Sequence, residues 1–173
     1  MAGYDRSRGR RRWPAAALGL LLLAGCAGTP GTDALLRGPP PDLPAAVELT
    51  DTPFHPRTDF HCGPATLAAA LETTGVAVTP DEVAPQVFTP GREGSFQADM
   101  ITATRRHGRL PVPVAGMADA FREVAAGRPV LVLQNLALEM APRWHYALLV
   151  GYDLEAGDAV LRSGTERRQI LPL

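Results

Sequence analysis

Apolar residues recur along this chain with two periods, and the change comes near residue 129. Between residues 64 and 127 they fall at helical spacing in short segments bounded by glycine or proline. "PATLAAALETTG" predicts a helix stopped by Gly75. "TPDEVAPQV" predicts a second, with Thr79 as N-cap, Pro80 at the first position and acids in the first turn. "GSFQADMITATRRHG" predicts a third, from an N-cap at Ser95 to a stop at Gly108, and "MADAFREVAAG" a fourth. The continuous run "PVLVLQNL" then has the length and character of a strand buried on both faces. "WHYALLVGYD", "AVLRSG" and "RQILP" read as three more strands, the first two joined through the hairpin "LEAGD". Helices followed by antiparallel strands predict an α+β domain.

The N-terminus has a different pattern. "RSRGRRRW" is basic and "AAALGLLLLAG" is a short apolar run, too short to span a bilayer comfortably as a helix. Together they read as a signal peptide over residues 1–25, ending at Cys26. "LAGC", Leu23 to Cys26, resembles the lipobox of bacterial lipoproteins, which implies cleavage before Cys26 and a lipid on its thiol. Residues 26–50, rich in Pro, Gly and small side chains, read as the lipidated cysteine and an extended tether. The folded domain is expected over 51–173. Ala27, where no aspartate stands, implies by the same resemblance a lipid-anchored protein of the cell envelope, at the outer membrane facing the periplasm.

Charge adds one exclusion. The whole chain carries a formal −1, and its first 25 residues a net +4, so the remainder stands at −5. An acidic body gives no reason to expect a nucleic-acid partner. There are only two cysteines. With Cys26 lipidated, Cys62 has no disulfide partner, and a lone thiol in an oxidising compartment must be buried or useful.

Cys62 stands at the mouth of the first predicted helix, two residues before Pro64. Unsatisfied amides and the helix dipole at that point favour a thiolate and an oxyanion. Gly63 would leave room for a substrate. A catalytic thiol needs a base within reach. Of the four histidines, His61 is merely adjacent, His107 ends a helix beside Arg105 and Arg106, and His55 lies in an irregular stretch. His145 opens an apolar strand between Trp144 and Tyr146, with Ala147 and Leu149 on its own face. Other readings stay open: Cys62 as a small buried hydrophobe, His145 as a core histidine, or a metal held by His55, His61 and Cys62. Trp144, Tyr146 and the "VLVLQNL" run read as core.

The pairing of a helix-mouth cysteine with a downstream strand histidine resembles papain-like cysteine peptidases. "HCGPATLAAAL" and "RWHYALLVGYD" are similar to the C39, or bacteriocin-processing, branch. "GREGSFQADMITATRRHG" and "GRPVLVLQNL" resemble lipoproteins with a C39-like domain, over roughly residues 50 to 172. The resemblance implies a papain-like fold and a membrane-anchored thiol hydrolase acting on a peptide or protein, with no cofactor. It also implies a Cys62–His145 dyad, an oxyanion-binding glutamine before the cysteine and an aspartate that orients the imidazole. Pro56 and Arg57 stand near the glutamine's position, so Arg57 is the candidate there. Hairpin counting puts Ser163 at the third position, while Asp153 and Asp158 flank the turn. These departures keep two alternatives alive: a binding or assembly lipoprotein on a degenerate scaffold, and a thiol-dependent acyl or amide transferase. For the anchor the test is direct. Cys26→Ser should move the protein from the membrane to the soluble fraction; unchanged fractionation would remove the lipoprotein reading.

Overall fold

The computed structural model describes residues 30–57, 61–137 and 140–173; the signal-peptide expectation and Cys26 lie outside them. In chain order come helix α1 (Pro30–Arg37), strand β1 (Ala46–Glu48), and helices α2 (Cys62–Glu72) and α3 (Pro80–Val87). Two short strands, β2 (Phe88–Thr89) and β3 (Gly94–Ser95), precede helices α4 (Gln97–Arg106) and α5 (Met117–Ala125). The chain then runs through β4 (Val130–Asn135), β5 (Trp144–Asp153), β6 (Asp158–Ser163) and β7 (Glu166–Pro172). The order is the α+β one expected, and it is consistent with a papain-like C39 fold.

Local chemistry explains most boundaries. The Thr79 hydroxyl accepts from the Glu82 amide while the Glu82 carboxylate accepts from the Thr79 amide, a complete capping box at the start of α3. Glycines in the left-handed region, Gly75, Gly108 and Gly127, follow α2, α4 and α5. The start of α4 differs from expectation. Ser95 belongs to β3, paired with Phe88, and Phe96 takes the N-cap position without a side-chain cap.

β5 is the axis of the sheet. β6 pairs along one edge, while β4 and β1 lie end to end along the other: β4 against its first half, β1 against its second. β7 follows β6, and every pairing is antiparallel. Tyr146, Leu148 and Val150 pack on the α2 side, whereas Ala147 and Leu149 join Phe121 and Val124 of α5. A bulge near Val150 resets this alternation, so Tyr152 stacks on Phe121 at 4.3 Å between ring centroids.

Three expectations change here. Residues 30–50, expected as a tether, hold α1 and β1, with Leu35 buried in the α5-side core and Val47 packed against it. β4, expected to be buried on both faces, is an edge strand that pairs only with β5, and Leu133 is 44% exposed. Trp144, read as core, is 60% exposed at the start of β5.

Gly151 shows why β1 belongs to the fold: a Cβ there would fall 2.7 Å from the Val47 carbonyl oxygen. Leu35→Ala should therefore lower stability in urea by about 2–5 kcal/mol, as a buried leucine does. Leu36→Ala, at a partly exposed position, should cost under about 1 kcal/mol. Equal, small losses for both would return residues 30–45 to the status of a tether.

Candidate active site

Helix α2 is not amphipathic. Its residues Gly63 to Ala69 are all buried, with Leu71, because α3, α4 and β5 surround it. Runs of alanine let those elements come close. The first turn is set on β5 by the Thr66 hydroxyl, which donates to the Tyr146 carbonyl at 3.3 Å. Cys62 opens the helix as a free, half-buried thiol. Its own amide lies in the first turn, where no intrahelical acceptor exists.

Gly63 has a different purpose from the one expected. A Cβ on it would fall 2.7 Å from Ser95 Cβ and 3.5 Å from the Tyr146 ring. The missing side chain makes room for β3 and β5, not for a substrate. Tyr146 is held as a phenol above its usual range, by burial first and then by the charges of Cys62 and Asp99. Its hydroxyl thus lies within the electrostatic reach of the thiol.

His145 is half-buried on β5, opposite Gln134 of β4. Its Nε2 lies 3.1 Å from the hydroxyl of Ser163, itself 8% exposed at the end of β6. Burial first, and then the Arg143 cation, hold this ring below the ordinary histidine value. At neutral pH it is an imidazole with one free nitrogen, Nδ1, able to accept a proton if Nε2 carries the hydrogen. No hydrogen bond links Cys62 to His145 in this structure; the two are related through Tyr146, which follows His145 and touches the first turn of α2.

The other histidines are engaged elsewhere. His55 Nε2 meets Glu72 at 3.1 Å, His61 stacks on Phe88 at 4.6 Å, and His107 meets Gln86 at 3.2 Å. Among the described residues no three His, Cys, Asp or Glu side chains gather as a metal site, so the His55–His61–Cys62 grouping does not form. Asp153 accepts from the amides of Glu155 and Ala156 in the hairpin turn, away from the ring.

Cys62 lies on the wall of a small cleft that opens to solvent. Phe54, Arg57, Thr66, Leu148 and Arg162 share that wall. The Arg57 amide donates to the Gly164 carbonyl at 3.0 Å, tying the segment before the cysteine to the turn after Ser163. Its guanidinium meets Asp81 at 3.3 Å on the surface, so as an oxyanion donor it would first have to leave that carboxylate. The structure thus joins His145 to Ser163, and sets Arg57 with Cys62 on one cleft. The sequence reading missed Arg162, although a lone charge inside "AVLRSG" is a signal of a buried cation.

No curated protein and no solved structure matches the chain significantly. A family model does match, the Peptidase_C39-like family, over residues 49–165. That span runs from the end of β1 to the turn after β6, and contains Cys62, His145 and Ser163. A helix-mouth thiol, a strand-borne imidazole and their order along an α+β chain therefore fall inside one recognised unit: the chain belongs to the Peptidase_C39-like family.

Proposed function

We propose that this protein is a lipid-anchored thiol hydrolase of the cell envelope that cleaves a peptide or amide bond. The observation that carries the reading is the 3.1 Å contact between His145 Nε2 and Ser163, in a family whose match includes Cys62. With Nε2–H donating to the serine oxygen, Nδ1 is free to take the Cys62 proton. The sulfur then attacks the carbonyl carbon, and the Cys62 amide donates to the oxyanion. Proton return from Nδ1 lets the amine leave, and water completes hydrolysis of the thioester. Ser163 is a positioning residue in this scheme. The ring begins neutral, so it acts as a general base and not as half of a preformed ion pair.

A second reading, a binding lipoprotein on a degenerate scaffold, draws on two facts: Arg57 is engaged by Asp81, and a neutral hydroxyl stands where a carboxylate would orient the ring. The transferase alternative shares the thiol chemistry and differs only in the acceptor. Alkylation separates reaction from binding. In wild type, iodoacetamide should modify Cys62 at least about tenfold faster at pH 7 than in His145→Ala, in keeping with the weight of a general base. His61→Ala should change nothing. Ser163→Asp should speed the reaction, because a carboxylate fixes the tautomer, and Ser163→Ala should slow it. Equal rates in wild type and His145→Ala would leave the binding reading in possession.

The depressed His145 value also has a sign in stability. An imidazole held below its unfolded value of about 6.5 keeps its contribution above that pH and loses it as pH falls through the folded value. Wild-type Tm should therefore fall, relative to His145→Ala, once pH drops below about 6.5. Arg143→Ala removes the second cause, so the total loss should be smaller and should end closer to the ordinary histidine value. Parallel Tm–pH curves for wild type and His145→Ala would contradict the assignment.

A further inference from the structure

The cleft beside Cys62 contains a cation that no carboxylate of the described residues pairs. Arg162, 5% exposed, points its strand position toward α2, in register with Leu148. Its terminal nitrogens donate only to carbonyl oxygens: Arg167, Leu49 at 3.4 Å and Thr50 at 3.1 Å. The Nε–H is buried and has no partner among the described residues. Glu48 is the carboxylate whose field reaches it, but Arg168 already holds Glu48 through contacts of 2.9 to 3.1 Å. The other basic groups on the wall are matched, Arg57 by Asp81 and His55 by Glu72.

Buried charges are ordinarily paired, because desolvation is otherwise uncompensated. Three carbonyls explain why Arg162 helps to hold the end of β1 near β7. They do not explain a full positive charge, nor an idle donor, on the wall of an open cleft. Alanines of α2 and Leu148 form the adjoining surface, so an anion entering here would meet Arg162 in a poorly solvated place where a charged hydrogen bond is strong.

We infer that this cleft binds a carboxylate of the substrate on Arg162, either a free C-terminal carboxylate or an Asp or Glu side chain. The word substrate rests on the hydrolase reading; the anion site does not. Cys62, Ala65, Thr66 and Ala69 line the cleft, along about 10 Å of helix at 1.5 Å per residue. Leu148, the register partner of Arg162, packs on Ala69 at the far end. At about 3.3 Å per extended residue, the carboxylate would sit two or three residues from the attacked carbonyl.

The test is protection of Cys62 in the full chain from iodoacetamide, followed by mass spectrometry of the Cys62 peptide. Acetyl-Ala-Ala as the free acid, its C-terminal amide, and acetyl-Glu-Ala-amide are the probes. One of the two carboxylate-bearing peptides should protect at a concentration at least about tenfold below the amide, and which one names the source of the anion. Arg162→Gln should abolish that preference, and Arg162→Lys should retain part of it. Because Arg162 also holds three carbonyls, either variant can fail to fold, and the wild-type comparison then decides alone. Equal protection by all three peptides, protection by none, or a preference that survives in folded Arg162→Gln would overturn the inference. An acid preference without His145-dependent alkylation keeps the site and discards the hydrolase; the converse result does the opposite.

Discussion

The packing of α2 on β5 is the contact on which the rest depends. The helix is buried on nearly its whole circumference, so its first turn cannot shift without disturbing α3, α4 and the sheet together. Gly63 and the alanines are the means of that approach, and the Thr66–Tyr146 bond sets its register. The result is a thiol whose backbone is fixed by core packing although the thiol itself remains accessible. A reactive group on a rigid element needs little further positioning. In the proposed reaction, what remains to be positioned is the His145 ring, which Ser163 contacts.

If His145 acts as the proposed base, its support is unusual. A carboxylate beside an imidazole does two things: it selects the tautomer and it stabilises the ring once protonated. The Ser163 hydroxyl can accept from Nε2–H, but it can equally donate to a bare Nε2, which would put the proton on Nδ1 and block the reaction with Cys62. It also supplies no negative charge, while burial and Arg143 both oppose protonation. The same substitution thus weakens tautomer control and lowers basicity. On the hydrolase proposal, such a site would favour slow turnover over fast general proteolysis.

Much of this was legible in the sequence, and the parts that were not share a cause. Periodicity with explicit caps revealed α2, α3, α5 and β4 to β7, because each of these elements carries its own start or stop signal. Cys62 and His145 emerged from position on those elements, and Ser163 from counting along the hairpin to the place the family resemblance gives its third residue. The early misreading came from composition: "TPGTDALLRGPPPDLPAAVELT" looks like a linker, and a three-residue strand has no period to detect. The visible clue was remote, a glycine within the apolar run "LLVGYD", present because another backbone passes close by. β4 failed differently. Its apolar run was real, but the layers packed on its two faces cover β4 only in part, and Leu133 is left 44% exposed. Packing of that kind is not written in any single segment.

Arg57 and Arg162 complete the picture because they mark opposite solutions to one problem. Each brings a guanidinium to the cleft of Cys62. Arg57 is at the surface, where Asp81 can meet it and water can screen it, so its pairing is weak and reversible. Arg162 is inside, where relief comes only from fixed carbonyls. A surface cation beside Cys62 would suit, in the proposed reaction, a charge that develops and disappears. An immobile one suits a charge that is present throughout, such as the carboxylate proposed above to bind there. The division of labour follows from burial: water can screen Arg57, whereas Arg162 is buried and has no carboxylate partner among the described residues.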